Sequence, residues 1–139
     1  MIIFLDIDGV LNQLQRNYYL DDKCIENLGI LCKKLLSEVV LTSSWRLGYT
    51  NLGKCTPQIE NLREKFCKYN IKIVGRTKNL GNRELEIKEY IKDNNISKYV
   101  VIDDDKTEFK NNSIDNIYFV NSKTGIIKKD IKQIVKLYK

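Results

Sequence analysis

Short apolar runs alternate along this chain with longer segments in which apolar residues recur every three or four positions. The runs are four or five residues long and mostly β-branched, a pattern typical of strands that are buried on both faces of a sheet. We therefore predict five strands, over residues 1–5, 38–41, 71–74, 99–102 and 117–120.

The longer segments predict four amphipathic helices with recognisable starts. The residues that mark these starts are Asp21 or Asp22, Thr56 followed by Pro57, Asn82 and, ahead of the last helix, Gly125. Residues 47–55 are predicted to form a loop. The positions expected to face the core are Ile25, Leu28, Leu31, Cys32, Leu35, Leu36, Ile59, Leu62, Phe66, Tyr69, Leu85, Ile87, Tyr90, Ile91, Ile127, Ile131, Ile134, Val135 and Leu137.

The alternation of strand and helix predicts an α/β fold. We expect residues 1–139 to form one three-layer α/β/α, Rossmann-like domain with a five-stranded parallel sheet. Right-handed crossovers place the carboxyl ends of parallel strands at one edge of the sheet, where ligands of open α/β sheets bind. The residues that follow the strands are therefore the candidates for a functional site.

Composition excludes several classes of protein and site. No apolar run approaches the ~20 residues of a membrane span, and the opening run lacks the basic flank of a signal peptide, so we expect a cytoplasmic protein without a membrane partner. Because the chain has no histidine, Cys/His zinc sites and His-dependent nucleophilic catalysis are excluded. The cysteines form no CxxC pair and are expected to be reduced and mostly core-facing: Cys24, Cys32, Cys55 and Cys67.

The net charge of +6 is compatible with two interpretations. A basic balance is typical of proteins that bind nucleic acid. Lysines spread over a whole surface, however, are as often simply solvated, and the lysines here are distributed along the entire chain.

Charged and hydroxyl residues stand where four of the predicted strands end. Gly9 permits the chain to bend directly after the first strand. Carboxylates, hydroxyls and cations at one edge of a sheet indicate a site for a metal ion and a phosphoryl group. The residues are Asp6 and Asp8, Thr42 and Ser43, Arg76 and Lys78, and the run Asp103–Asp105.

These residues carry a family resemblance. The stretch 6–10, Asp-Ile-Asp-Gly-Val, resembles the first motif of the haloacid dehalogenase-like (HAD) phosphatases, and 40–43, Val-Leu-Thr-Ser, is similar to their second. Arg83 or Lys78 could supply the cation of the third motif, and 101–104 looks like the acidic fourth motif. The segments 40–46, 83–87 and 125–127 resemble a small capless group of HAD domains associated with RNA-repair proteins and distantly like polynucleotide kinase-phosphatases.

The resemblance implies a reaction. Asp6, which an ordinary carboxyl pKa of about 3.9 would keep ionised, is the expected nucleophile, and Asp8 the general acid and base. Mg²⁺ is the expected cofactor, held by Asp6, the backbone carbonyl of Asp8, and Asp104, with Asp103 as a ligand or a neighbour of the ligands.

The remaining candidates concern the substrate. Thr42 and either Arg83 or Lys78 are expected to hold the phosphoryl oxygens. Ser43, Trp45 and Arg46 are candidate substrate-binding residues: Trp45 could stack on a base, or only pack, and Arg46 could grip a second phosphate. The tyrosines expected at the rim are Tyr18, Tyr19 and Tyr49.

The spacing of the motifs leaves room for one helix, not a cap domain, after the first motif or after the third. We therefore expect an open site on a monomer, and as substrate a phosphorylated RNA or DNA end. A nucleotidase, a phosphoprotein phosphatase and a catalytically inactive HAD-fold binding domain remain alternatives.

Overall fold

The computed structural model describes residues 1–15 and 19–139, and it contains a five-stranded, all-parallel sheet in the order β3-β2-β1-β4-β5. The strands are β1 (Ile2–Leu5), β2 (Glu38–Leu41), β3 (Ile73–Arg76), β4 (Tyr99–Asp103) and β5 (Ile117–Phe119). The helices are α1 (Asp22–Leu35), α2 (Pro57–Lys68), α3 (Arg83–Asp93) and α4 (Lys128–Tyr138), with short 3₁₀ helices at Ser44–Gly48 and Lys106–Phe109. The predicted α/β/α fold is confirmed.

Alternate residues of the central strands face opposite layers of helices. Ile3 and Leu5 of β1 pack into the large core beneath α1, α2 and α4. Phe4 between them packs on the other face with Ile87 of α3 and Phe109. A strand that is buried on both faces has no polar side to alternate with, which is why each run is continuously apolar.

The sheet order places a topological switch point between β1 and β4. From β1 the chain runs to β2 on one side, whereas from β4 it runs to β5 on the other. The connections therefore diverge at the carboxyl ends of these two neighbours and leave a crevice, the usual ligand position in open α/β sheets. Asp6 follows β1 and Asp103 ends β4, so both lie at this crevice.

The predicted helix starts are confirmed, since Asp21, Thr56 and Asn82 each accept a hydrogen bond from the first turn of their helix. Strand β3 lies two residues later than predicted, and its register against β2 shifts between Val39 and Val40. The apolar run at residues 71–74 does not indicate a register shift between neighbouring strands. Residues 44–48 of the second-motif region form a 3₁₀ helix that overlaps the start of the predicted loop.

Three leucines and one isoleucine predicted to face the core are exposed, and the isoleucine is Ile127, which lies just before α4 and is 40% exposed. Leu36 ends α1 in the left-handed conformation (φ 50°) and is 85% exposed, and Leu137 lies near the end of α4. Leu85 is exposed because α3 turns two carboxylates inward instead, those of Glu84 and Glu86. Helical spacing alone cannot anticipate that a helix buries charge.

The cysteines are free; three are buried and Cys67 is exposed. Within residues 1–15 and 19–139, none of the helices has the length and apolar character that crossing a membrane requires.

Candidate active site

Three carboxylates meet at the crevice between β1 and β4. Asp6, Asp103 and Asp104 each offer an oxygen, and these oxygens lie within 4.8 Å of one another. The backbone amide of Asp6 donates to the carbonyl of Ile102 (3.0 Å), which brings the end of β1 against the end of β4. Asp6 is 6% exposed and Asp103 fully buried.

The buried carboxylate of Asp103 is fully engaged by its neighbours. Its Oδ1 accepts hydrogen bonds from the backbone amides of Asp104 (2.7 Å) and Asp105 (2.9 Å). Its Oδ2 accepts from Nη1 of Arg83 at 2.8 Å. Asp103 thus orients the acidic loop and Arg83, whereas Asp6 and Asp104 line the open cleft.

Burial and charge make ionisation of this cluster costly. Burial, and then the negative charge of Asp103, raise the pKa of Asp6 well above its ordinary value, while Arg83 opposes the shift. Burial also raises the pKa of Asp103, against the opposing charge of Arg83. Burial within the cluster thus moves the pKa of Asp6 upward from the ordinary value that the sequence alone suggests, and a cation beside the carboxylates would favour their ionised form.

The bend after β1 places Asp8 beside the cluster. Gly9 has φ +84°, and a Cβ at Gly9 would clash with Oδ2 of Asp104, so only glycine leaves room for that carboxylate. Asn12 joins the two ends of the bend. Its Oδ1 accepts from the amide of Gly9 (2.8 Å), and its Nδ2 donates to Oδ1 of Asp8 (2.9 Å).

The other oxygen of Asp8 faces the second motif. Oδ2 of Asp8 accepts from the indole Nε1 of Trp45 at 3.3 Å. Trp45 is held in turn at the start of the 3₁₀ helix, where its amide donates to Oγ of Ser43 (3.0 Å). The first and second motifs therefore meet through side chains.

Of the two predicted hydroxyls, only that of Ser43 lines the cleft. Thr42 is fully buried, and its Oγ1 has no hydrogen-bond partner among the described residues. A buried, unpaired hydroxyl at the end of β2 carries a desolvation cost that an oxygen ligand would relieve.

The candidate cations lie in different places. Arg83 starts α3, lines the cleft, and brings Nη1 to 3.6 Å from Oδ1 of Asp6. Lys78 is 68% exposed and forms an ion pair with Asp93 (3.5 Å) outside the cleft. The structure therefore does not bring Lys78 to the acidic cluster, and Arg76 is likewise an exposed residue outside the cleft.

Arg46 does not occupy the position predicted for gripping a second phosphate. It is 5% exposed, and its guanidinium donates to the carbonyls of Thr42 (3.0 Å) and Ser43 (2.9 Å) and to Glu86 (2.9 Å). Glu86 also accepts from the amide of Leu80 at 2.8 Å. Arg46 therefore ties the second motif to the start of α3 and is not available to a ligand in this arrangement.

We call the space in front of the cluster the acidic cleft. It has a volume of about 420 Å³. Its described lining includes one guanidinium, that of Arg83, against five carboxylates. A phosphate monoester could enter such a negative cleft only together with a cation. The lining residues are Asp6, Asp8, Leu14, Ser43, Ser44, Arg83, Asp104, Asp105, Glu108 and Ser122.

Comparison of the sequence with protein-family models gives the family of this chain. The model of the HAD domain in Swiss Army Knife RNA repair proteins matches residues 2–131. The chain belongs to this family. Searches of curated proteins and of solved structures found no match. Membership places the chain among HAD-type hydrolases of a family found in RNA-repair proteins.

Within residues 1–15 and 19–139, the connections that lead away from the site contain single helices. In the described part of the chain, the connection after β1 contains only the helix α1, and the connection after β3 only α3. These are the two places where cap domains are inserted in the larger HAD enzymes, and the expectation of a capless domain agrees with both.

The predicted rim tyrosines have different outcomes. Tyr19 is 79% exposed near the cleft, as expected. The rim position of Tyr49 is wrong, because this residue is 4% exposed and packs in the core beneath the guanidinium of Arg63. Tyr18 lies outside the described residues.

Several residues of the site have no role in the sequence prediction, among them Asn12, Ser44 and Glu86. Asn12 could have been suspected from its position three residues after the Asp-Gly bend, where a side-chain amide can close the turn. Ser44 could have been suspected as a third consecutive hydroxyl-bearing residue after β2. Glu86 had no such signal, since a glutamate in a helix is usually exposed.

Proposed function

We propose that this HAD domain is a Mg²⁺-dependent phosphomonoesterase that acts on phosphorylated nucleic-acid ends through an aspartyl-phosphate on Asp6. The observation that carries the proposal is the cluster of Asp6, Asp103 and Asp104 at the switch point, with Arg83 and Asp8 on either side.

The donor set fits Mg²⁺. The three side chains of the cluster offer carboxylate oxygens, which are the hard ligands that Mg²⁺ prefers. Asp6, Asp104 and the carbonyl of Asp8 would hold the ion, and Asp103, whose oxygens are occupied, would orient them. When bound, Mg²⁺ supplies the positive charge that neutralises the cluster and the phosphoryl oxygens.

Asp6 is the nucleophile in the first half of the reaction. An ionised Asp6 oxygen attacks phosphorus, and the bond between phosphorus and the ester oxygen breaks. Asp8 gives its proton to the departing oxygen. Its Oδ2 is the oxygen suited to this transfer, because the contact with Trp45 is longer than the contact that Asn12 makes with Oδ1.

Asp8 acts as the base in the second half. It takes a proton from a water molecule whose oxygen attacks phosphorus, and the bond to Asp6 breaks. Orthophosphate leaves, and both carboxyls return to their starting states. Arg83 and Ser43, which both line the acidic cleft, would hold the phosphoryl oxygens, and the buried Thr42 hydroxyl is a further donor at the end of β2.

An open site supports a large substrate. No element of the described chain covers the acidic cleft, so a phosphate at the end of a polymer could reach Asp6. The RNA-repair association of the family favours a polynucleotide end over a free nucleotide or a phosphoprotein. These two remain the alternative substrates, and an inactive binding domain the alternative to catalysis.

Phosphate release tests the proposal. We would assay 3′- and 5′-phosphorylated oligonucleotides, matched mononucleotides, a phosphopeptide and an aryl phosphate, with Mg²⁺ and with EDTA. Release should require Mg²⁺, favour one oligonucleotide, and fall by about 10³-fold or more in Asp6→Asn.

The rate of phosphate release should fall by about 10²-fold in Arg83→Ala. Lys78→Ala, which removes an exposed cation outside the cleft, serves as the matched control and should keep the rate. Release from no substrate would contradict the proposal.

A further inference from the structure

A second cleft adjoins the acidic cleft, and we call it the side cleft. It has a volume of about 610 Å³ and shares Asp8 and Ser44 with the acidic cleft. Its described lining residues are Asp8, Tyr19, Leu20, Ser44, Trp45, Gln58 and Asn61. The mechanism proposed above uses only the shared edge of this space.

The position of Asp8 decides which part of a substrate would enter the side cleft. Asp6 approaches phosphorus from the acidic cleft, and an in-line displacement expels the leaving oxygen on the far side. Asp8, which protonates that oxygen, forms the border between the two clefts. The group attached to the leaving oxygen therefore extends past Asp8 toward Trp45.

The lining of the side cleft is aromatic and neutral. The indole of Trp45 is half-buried and fixed by its hydrogen bond to Asp8, so it offers a ring in a defined position. Gln58 and Asn61 lie one helical turn apart on the exposed side of α2, and each amide carries both donors and acceptors. Apart from Asp8, the described lining residues carry no charge.

This chemistry selects among the possible leaving groups. A further chain phosphate would lie near the Asp8 carboxylate without a cation among the described lining residues, which is unfavourable. The ring of a phosphotyrosine could stack, but it has no hydrogen-bonding edge for two amides. A nucleobase offers both a flat face and an edge of donors and acceptors.

We infer that the side cleft binds the base of the terminal nucleotide that carries the phosphate, with Trp45 against its face and Gln58 and Asn61 at its edge. The inference rests on the proposed function and extends it. It makes the terminal base, and not the backbone charge, the feature by which the substrate is held.

Trp45 provides a direct readout because it is the one tryptophan of the chain. We would titrate the Asp6→Asn protein, in Mg²⁺, with short 3′- or 5′-phosphorylated oligonucleotides and follow tryptophan fluorescence. The same oligonucleotides with an abasic terminal sugar form the comparison, in ribose and deoxyribose versions that distinguish RNA from DNA ends. Base-bearing ends should quench the fluorescence saturably and bind at least about tenfold more tightly than abasic ends.

Two double variants of α2 separate binding of the base by the two amides from a general effect of substitutions on this helix. Gln58→Ala/Asn61→Ala removes both amides and should abolish most of the preference for base-bearing ends. Glu64→Ala/Lys68→Ala removes two exposed side chains of the same helix, leaves the net charge unchanged, and should retain the preference. Trp45 remains as reporter in both.

Equal affinity for base-bearing and abasic ends, an unchanged preference without the amides, or tighter binding of a phosphotyrosine peptide would overturn the inference. Mg²⁺-dependent phosphate release from the oligonucleotides by the wild type in that case would leave the proposed function standing. Base-dependent quenching without phosphate release would support base binding in the side cleft and contradict the proposed catalysis.

Discussion

At the scale of single residues, Gly9 is the position that allows Asp104 to approach the bend after β1 and join the acidic cluster. It combines a positive φ with the close approach of Asp104, so any side chain would both strain the backbone and displace a carboxylate. An Asp-x-Asp-Gly sequence alone would suggest only the bend.

We predict that Gly9→Ala weakens Mg²⁺ binding and lowers phosphate release by about tenfold or more, at a stability cost of about 1–2 kcal/mol. The cause is the clash with Oδ2 of Asp104. Calorimetric titration with Mg²⁺ and thermal unfolding would measure the two effects.

Gly81→Ala is the matched control for Gly9→Ala. Gly81 has φ +77°, close to that of Gly9, but a Cβ at Gly81 would have no atom of the described residues within 4 Å beyond its chain neighbours. The Gly81→Ala variant should share the strain and keep its affinity for Mg²⁺. Equal loss of Mg²⁺ binding in both variants would contradict the role assigned to the clash.

At the scale of elements, the ion pair between Arg46 and Glu86 joins the 3₁₀ helix after β2 to α3. Its side chains are 6% and 5% exposed, and the pair links the segment that holds Ser43 to the helix that carries Arg83, two residues that line the acidic cleft. Buried ion pairs contribute little net stability relative to apolar packing, but breaking one leaves a buried charge unpaired.

We predict that Glu86→Ala costs about 3–5 kcal/mol, because it leaves the Arg46 guanidinium buried without its carboxylate. Activity measured below the unfolding transition should fall as well, since the segments that carry Ser43 and Arg83 lose their link. Denaturant unfolding and phosphate release would test this.

Glu89→Ala removes a half-buried glutamate on the same helix and serves as the control. Its cost should be within about 1 kcal/mol. A similar cost for the two variants would mean that the ion pair has no special role in holding the site.

At the scale of the whole molecule, the acidic cleft contrasts with a chain whose net charge is +6. The negative charge is concentrated where β1 and β4 end, at the centre of the sheet. A cation bound there therefore stabilises the central strands and, through them, the entire fold.

We predict that Mg²⁺ raises the stability of the protein by about 2.7 kcal/mol at a concentration of 100 times its Kd. Thermal unfolding in EDTA and in increasing Mg²⁺ would measure the gain. Because protons compete for Asp6, whose pKa is raised in the folded protein, the gain should shrink as the pH falls, and at a higher pH than an ordinary aspartate would cause.

Asp104→Asn should lose most of this Mg²⁺-dependent gain. Asp115→Asn, which changes an exposed carboxylate beside Tyr99 at the start of β4 and so at the other edge of the sheet, should keep it. An equal gain in both variants would place the metal elsewhere.

Much of the fold and part of the site follow from local features of the chain. Apolar runs of strand length, the helix caps at Asp21, Thr56 and Asn82, and aspartates directly after two strands are properties of neighbouring residues. Such properties are sufficient for the class of fold, the strand and helix order, and the edge of the sheet at which the chemistry lies.

Tertiary structure alone decided which side chains of that edge meet. The choice of Arg83 over Lys78 for the cleft, the burial of Arg46 against Glu86, the raised pKa of Asp6 and the side cleft beside Asp8 all join residues that are far apart in the chain. The physical reason is that burial and distance depend on sheet register and helix packing, whereas the residue pattern records only which local structure each segment prefers.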